Sequence, residues 1–112
     1  MNNVIYSDIF EAKLRRFSKK SPSIVDEIEE LSSQLEENTG VGTALGSGLH
    51  KIRLSVASKG GGKSGGFRVI TYVVYQMPDT NDVYLLTLYD KSEDDTVKKD
   101  ELLKIAKKIV RQ

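Results

Sequence analysis

"FRVITYVVYQM", residues 67–77, decides the fold. Read with a period of two, it is apolar on both faces, with Arg68 on the same face as Ile70 and Tyr72. That is the pattern of a strand in the middle of a sheet. Its upstream neighbour is "KIRLSV" (51–56), in which Ile52, Leu54 and Val56 point one way and Lys51, Arg53 and Ser55 the other. One face of that strand feeds a core and the other is basic. Downstream, "MPDTND" signals a turn and "VYLLTLY" (83–89) is a further β-rich run. "NVIY" (3–6) is a short strand candidate at the start of the chain.

Helical periodicity occupies the flanks. Asp8 and Glu11 are spaced as a capping box, and Phe10, Leu14 and Phe17 follow along one apolar face. Ser21 before Pro22 reads as an N-cap with proline at the first helical position. Ile24, Ile28, Leu31 and Leu35 then recur at helical spacing, with Glu27, Glu29, Glu30, Glu36 and Glu37 mostly on the other side. "TGVGTALGSGL" (39–49) reads as a glycine-rich connector. Asp95 or Thr96 can cap a last helix striped by Leu102, Ala106 and Ile109, flanked by Leu103 and Val110, with lysines largely outside the stripe. The order β-α-α-β-β-β-α predicts one α+β domain over residues 1–112. It is a small antiparallel sheet with an N-terminal helical hairpin and a C-terminal helix, the helices on one face.

The composition of the 112 residues is that of a soluble globular protein, with 38% hydrophobic and 29% charged side chains. There is no cysteine, so disulfides and thiolate metal sites are excluded. No apolar run suits a signal peptide or a membrane span, which leads us to expect a cytoplasmic protein. The net charge is only +1, but it is unevenly spread. Residues 1–40 hold eight acids and five bases, and residues 79–112 hold eight acids and seven bases. Residues 41–78 hold Lys51, Arg53, Lys59, Lys63 and Arg68 and no acid at all. An acid-free window with five cations reads as an anion-binding surface.

"KGGGKSGGFR" (59–68) lies at the centre of that window. Its "GGGKS" is similar to the end of a nucleotide-binding P-loop, but the opening glycine that motif needs is replaced by Ala57. A strand pattern, not a helix, follows it, so no helix N-terminus stands behind the loop to cradle a phosphate. A bare hairpin loop accounts for the glycines and not for the cations among them. If "KIRL" and "FRVI" pair as neighbours, Lys51, Arg53 and Arg68 share one face, with Lys59 and Lys63 reaching over it. That gathering suits the backbone of a nucleic acid.

"LHKIRL", "ASKGGGKSGGFRVITYVV" and "VYLLTLYDKSEDD", in this order and spacing, resemble the RelE/HigB-type toxins of bacterial toxin–antitoxin modules. The likeness is greatest to the HigB-like branch, and it extends to the helical pair and the closing helix. The resemblance implies an endoribonuclease that cuts mRNA, usually on the ribosome, and is neutralised by a cognate antitoxin. In that family the RNA's own 2′-hydroxyl attacks the adjacent phosphate, with no metal and no small-molecule cofactor. Carried onto this chain, the resemblance marks Lys51, Arg53, Arg68 and Lys91 as catalytic and Lys59, Lys63 and Tyr89 as RNA-binding, Arg68 holding the scissile phosphate. Tyr89 is also placed to donate a proton or to pack as a strand-end residue. The chain departs from its better-known relatives in its near-neutral charge, in "SEDD" (92–95) beside the site, and in Val97, where some carry a tyrosine. The general base is left open. His50, the lone histidine, alternates to the side of Ile52 and Leu54, away from Lys51 and Arg53. Two alternatives stay open: a ParE-like toxin that inhibits DNA gyrase without cutting RNA, and an inactive nucleic-acid-binding relative.

Overall fold

The computed structural model describes residues 1–55, 66–77, 80–92 and 98–110. Its elements are β1 (Asn3–Tyr6), α1 (Asp8–Ser18), α2 (Ile24–Glu37), β2 (Thr43–Gly46), β3 (Leu49–Leu54), β4 (Phe67–Met77), β5 (Thr80–Asp90) and α3 (Lys99–Val110). The strands form one sheet in the order β1-β5-β4-β3-β2. β4 lies at the centre, where a strand apolar on both faces belongs. Consecutive strands from β2 to β5 pair antiparallel, while β1 joins β5 in parallel. The helical hairpin is what separates β1 from its sheet, since a parallel neighbour cannot be reached by a tight turn.

The α+β class and the order of helices agree with the sequence reading, and several details depart from it. The glycine-rich connector contains β2, whose turn into β3 uses left-handed backbone at Gly46, Ser47 and Gly48. At Gly42 a Cβ would lie 2.5 Å from the Lys51 carbonyl oxygen, so glycine there permits close approach to β3. The cap of α1 is Ser7, whose hydroxyl accepts from the Phe10 N–H; Asp8 and Glu11 sit in the first turn. α2 begins at Ile24, after a tight turn in which the Ile24 N–H meets the Ser21 carbonyl. The turn residues 78–79, the helix-cap candidates Asp95 and Thr96, Val56, Val97 and the loop lysines Lys59 and Lys63 lie outside the described residues.

The sheet is covered on both faces, because β4 and β5 are apolar on both. Phe10, Phe17, Ile24, Ile28, Leu31 and Leu35 of the helical hairpin pack with Ile52, Leu54, Phe67, Val69, Val73, Val83, Leu85 and Leu88. Phe17 meets Phe67 edge-on, with ring centroids 4.8 Å apart. α3 takes the opposite face, where Leu102 and Ala106 join Leu49, Ile70, Leu86 and Tyr89. This corrects the expectation that all helices share one face: a second apolar face on the central strands needs a cover of its own.

Candidate nucleic-acid interface

The register of three strands builds the site. Lys51 pairs with Ile70 and Arg53 with Arg68 across β3 and β4; Arg68 in turn pairs with Tyr89, and Ile70 with Thr87, across β4 and β5. Directly opposed residues share a face, so Lys51, Arg53, Arg68, Thr87 and Tyr89 all belong to the α3 face. α3 crosses the sheet over a different row. It starts beside β2, where the Lys99 Nζ lies 2.8 Å from the position of a Cβ on Gly46. It ends where Ile105, Lys108 and Ile109 share a cavity with Ile5 and Tyr84. Arg53 stands four residues along β3 from Leu49, about 13 Å at strand rise, so the arginine row lies beside the helix and not beneath it.

The electrostatics of that row are unfavourable by design of the register. Like charges directly opposite one another destabilise an antiparallel pair, typically by a few tenths to about 1 kcal/mol. Arg53 is exposed and Lys51 half-buried, while Arg68 is 5% exposed. The Arg68 Nη1 donates to the Phe67 carbonyl at 3.2 Å. Among the described residues no carboxylate pairs with Lys51, Arg53 or Arg68. A buried guanidinium whose neighbour is a second guanidinium is an arrangement that an anion would relieve.

Lys91 is held at the same end of the sheet by its backbone. Its N–H donates to the Gly66 carbonyl at 3.2 Å. Gly66 has φ +115°, and a Cβ there would sit 2.9 Å from the Leu54 carbonyl oxygen. Glycine at 66 therefore lets the end of β3, the start of β4 and the exit of β5 meet. Asp90 pairs with Phe67 and so alternates to the helical-hairpin face, where its Oδ1 accepts from the Ser92 amide and hydroxyl. The carboxylate nearest in sequence to Lys91 is thus turned away from Arg68.

Tyr89 is 7% exposed and packs in the α3 cluster beside Arg68, which leaves little ring face for a base to stack on. His50 pairs with Thr71 on the helical-hairpin face, away from the cations. Its Nδ1 and the Thr71 Oγ1 are both buried without a hydrogen-bond partner among the described residues. Lys59 and Lys63 are outside the described residues. Among the described residues no group of three or more His, Cys, Asp or Glu is placed to hold a metal ion. No helix among them is long and apolar enough to cross a membrane.

The sequence reading missed Thr87. A bulge shifts the β4–β5 register between Ile70 and Thr71, leaving Leu86 without an opposite residue. Strict alternation would put Tyr89 with Val83 and Leu85 on the helical-hairpin face. The extra residue instead rotates Thr87 and Tyr89 to the cationic face and Leu88 to the other core. "VYLLTLY" has no glycine to mark the bulge.

A family model described as the RelE toxin of the RelE/RelB toxin–antitoxin system matches residues 8–111. No curated protein matches the chain at a significant level. The match takes in both helical layers and every strand that carries a cation of the arginine row. The chain belongs to the RelE toxin family: it is a toxin of a toxin–antitoxin module, with an antitoxin as its partner.

Proposed function

We propose that the protein is an endoribonuclease that cuts mRNA on the ribosome, in the cytoplasm, and so arrests translation until its antitoxin binds. The observation that carries this reading is the Arg53–Arg68 pair, opposed across β3 and β4 with Lys51 on the same face. In the reaction the 2′-hydroxyl oxygen of the RNA attacks the adjacent phosphorus and loses its proton. The bond from phosphorus to the 5′-oxygen breaks, and that oxygen takes up a proton. The products are a cyclic phosphate and a free 5′-hydroxyl. The nucleophile is the substrate's own, so the protein's part is to hold the phosphate in line and to neutralise the charge that grows on its oxygens.

Arg68, buried and anchored on the Phe67 carbonyl, is preorganised to hold the scissile phosphate. Arg53, Lys51 and Lys91 add charge around it. Lys59 and Lys63, the loop lysines of the HigB-like branch, grip the flanking RNA. Tyr89 acts by packing against Arg68 instead of stacking on a base.

The test is a defined message on purified translating ribosomes. The protein should cut within the A-site codon, and Arg68→Ala, folded as judged by circular dichroism, should cut about 100-fold more slowly or worse. An intact message, or Arg68→Ala equal to wild type, would refute the reading.

A further inference from the structure

Phe67 opens β4 and closes the sheet at the end that carries the arginine row. It pairs with Leu54, the last residue of β3, and with Asp90, the last residue of β5. The peptide units on either side of it each hold one cationic residue of the site. The Gly66 carbonyl, before it, accepts from the Lys91 N–H at 3.2 Å. Its own carbonyl, after it, accepts from the Arg68 Nη1 at 3.2 Å. Peptide units are planar, so the backbone angles at Phe67 aim both carbonyls together. Gly66, with φ +115°, has no side chain that could hold them by packing. The Phe67 ring is what anchors this strand end.

That ring is buried on the helical-hairpin face, where Phe17 meets it edge-on with centroids 4.8 Å apart and planes at 64°. Phe17 stands in the last turn of α1, and the Arg16 guanidinium covers its ring at 4.6 Å from the centroid. An edge-to-face pair has a preferred angle and separation that an aliphatic contact lacks. A ring on one face of the sheet thus fixes carbonyls that hold cations at its end. Phe10 lies two turns earlier in α1, about 10 Å along the helix. It meets Tyr6 and takes no part in this chain of contacts.

We propose that Phe17 is a positioning residue for the cationic site. Through Phe67 it sets where Arg68 and Lys91 stand, so the helical hairpin tunes the site across the sheet. The effect on cleavage rests on the ribonuclease reading; the effect on the strand end does not. Phe17 lies on the face opposite Arg68 and acts only through Phe67. A guanidinium displaced by about 1 Å still attracts a phosphate, but it misses the oxygens on which charge grows. Loss of Phe17 therefore lowers kcat more than it raises KM.

Phe17→Leu keeps an apolar side chain and removes the ring edge, and Phe10→Leu makes the same change elsewhere in α1. By NMR of the full chain, the Lys91 amide should exchange about tenfold or more faster in Phe17→Leu. On translating ribosomes its kcat should fall about tenfold or more, with KM within about twofold of wild type. Phe17→Tyr, which keeps the ring edge, should restore both, and Phe10→Leu should leave both within about twofold of wild type. In an Arg68→Ala background, Phe17→Leu should slow cutting by no more than about twofold, because its effect passes through the clamp. Unchanged Lys91 exchange in Phe17→Leu overturns the proposal, as does cleavage at the wild-type rate or a loss that Phe10→Leu matches. A loss as large in the Arg68→Ala background as in wild type overturns it too. If wild type itself cuts no RNA, the ribonuclease reading fails, and the Lys91 exchange alone decides the proposal.

Discussion

Arg53 and Arg68 face each other across two strands, so the site and the stability of the sheet pull in opposite directions. Arg53 is the exposed member, and its loss removes the repulsion without opening a cavity. Arg53→Ala should therefore raise stability by a few tenths to about 1 kcal/mol in urea while slowing RNA cleavage. If phosphate ion binds where the two guanidinium groups meet, it should raise the melting temperature of wild type more than that of the variant. A variant less stable than wild type in buffer without phosphate would show that the pair is not repulsive.

A second residue reports on the other end of the α3 face. Burial raises the Tyr84 phenol above its ordinary value, and the nearby Asp82 carboxylate adds to the effect. The folded chain thus holds the phenol proton more tightly than the unfolded chain does. The associated stability is complete below about pH 10, the unfolded value, and is lost as pH rises through the higher folded value. Urea denaturation between pH 9 and about 11 should show wild type losing stability more steeply than Tyr84→Phe. Parallel curves would assign the alkaline loss to other groups.

At the scale of elements, the joint between β1 and α1 ties the first helix to the bulged strand β5. Ser7 is buried, and its hydroxyl accepts from the Phe10 N–H at 3.0 Å and donates to the Leu86 carbonyl at 2.8 Å. One side chain therefore caps α1 and ties it to the bulged residue of β5. Ser7→Ala loses a cap and leaves a buried carbonyl unpaired, so thermal and urea unfolding should show a loss of about 2 kcal/mol. A loss below about 0.5 kcal/mol would mean that the bulge holds without this tie. The bulge matters to the proposed site because it is what turns Tyr89 toward Arg68 and away from the helical hairpin.

The whole molecule is polarised across its sheet. α2 carries Asp26, Glu27, Glu29, Glu30, Glu36 and Glu37 and no base, on the face opposite the arginine row. Exposed lysines of α3 share the side of the arginines. A net charge of +1 hides this separation, which would orient the protein with its basic face toward RNA. RNA affinity should fall linearly with the logarithm of salt concentration, and Arg53→Ala should flatten that slope by about 0.7 for single-stranded RNA. An unchanged slope would place Arg53 off the phosphate path.

Much of this was legible in "KIRL" and "FRVITYVVY". A period of two put Lys51 and Arg53 on one side of their strand and Arg68 with Ile70 on one side of the next. Neighbour pairing then brought the three cations together. The amphipathic faces of all three helices were equally plain, because the burial of a stripe at positions three and four apart is a local constraint. The cap of α1 was misplaced by one residue, since Ser7 and Asp8 are both good caps and only the Leu86 carbonyl favours the serine.

Sequence alone determined the segments, their periods and the acid-free window, because each depends on residues a few positions apart. Only the tertiary structure decided that β1 runs parallel at an open edge, that α3 covers the face opposite the helical hairpin, and that one extra residue in β5 turns Tyr89 to the cations. Those choices depend on contacts between residues tens of positions apart, where strands apolar on both faces give no local signal of which neighbour, register or cover they will receive.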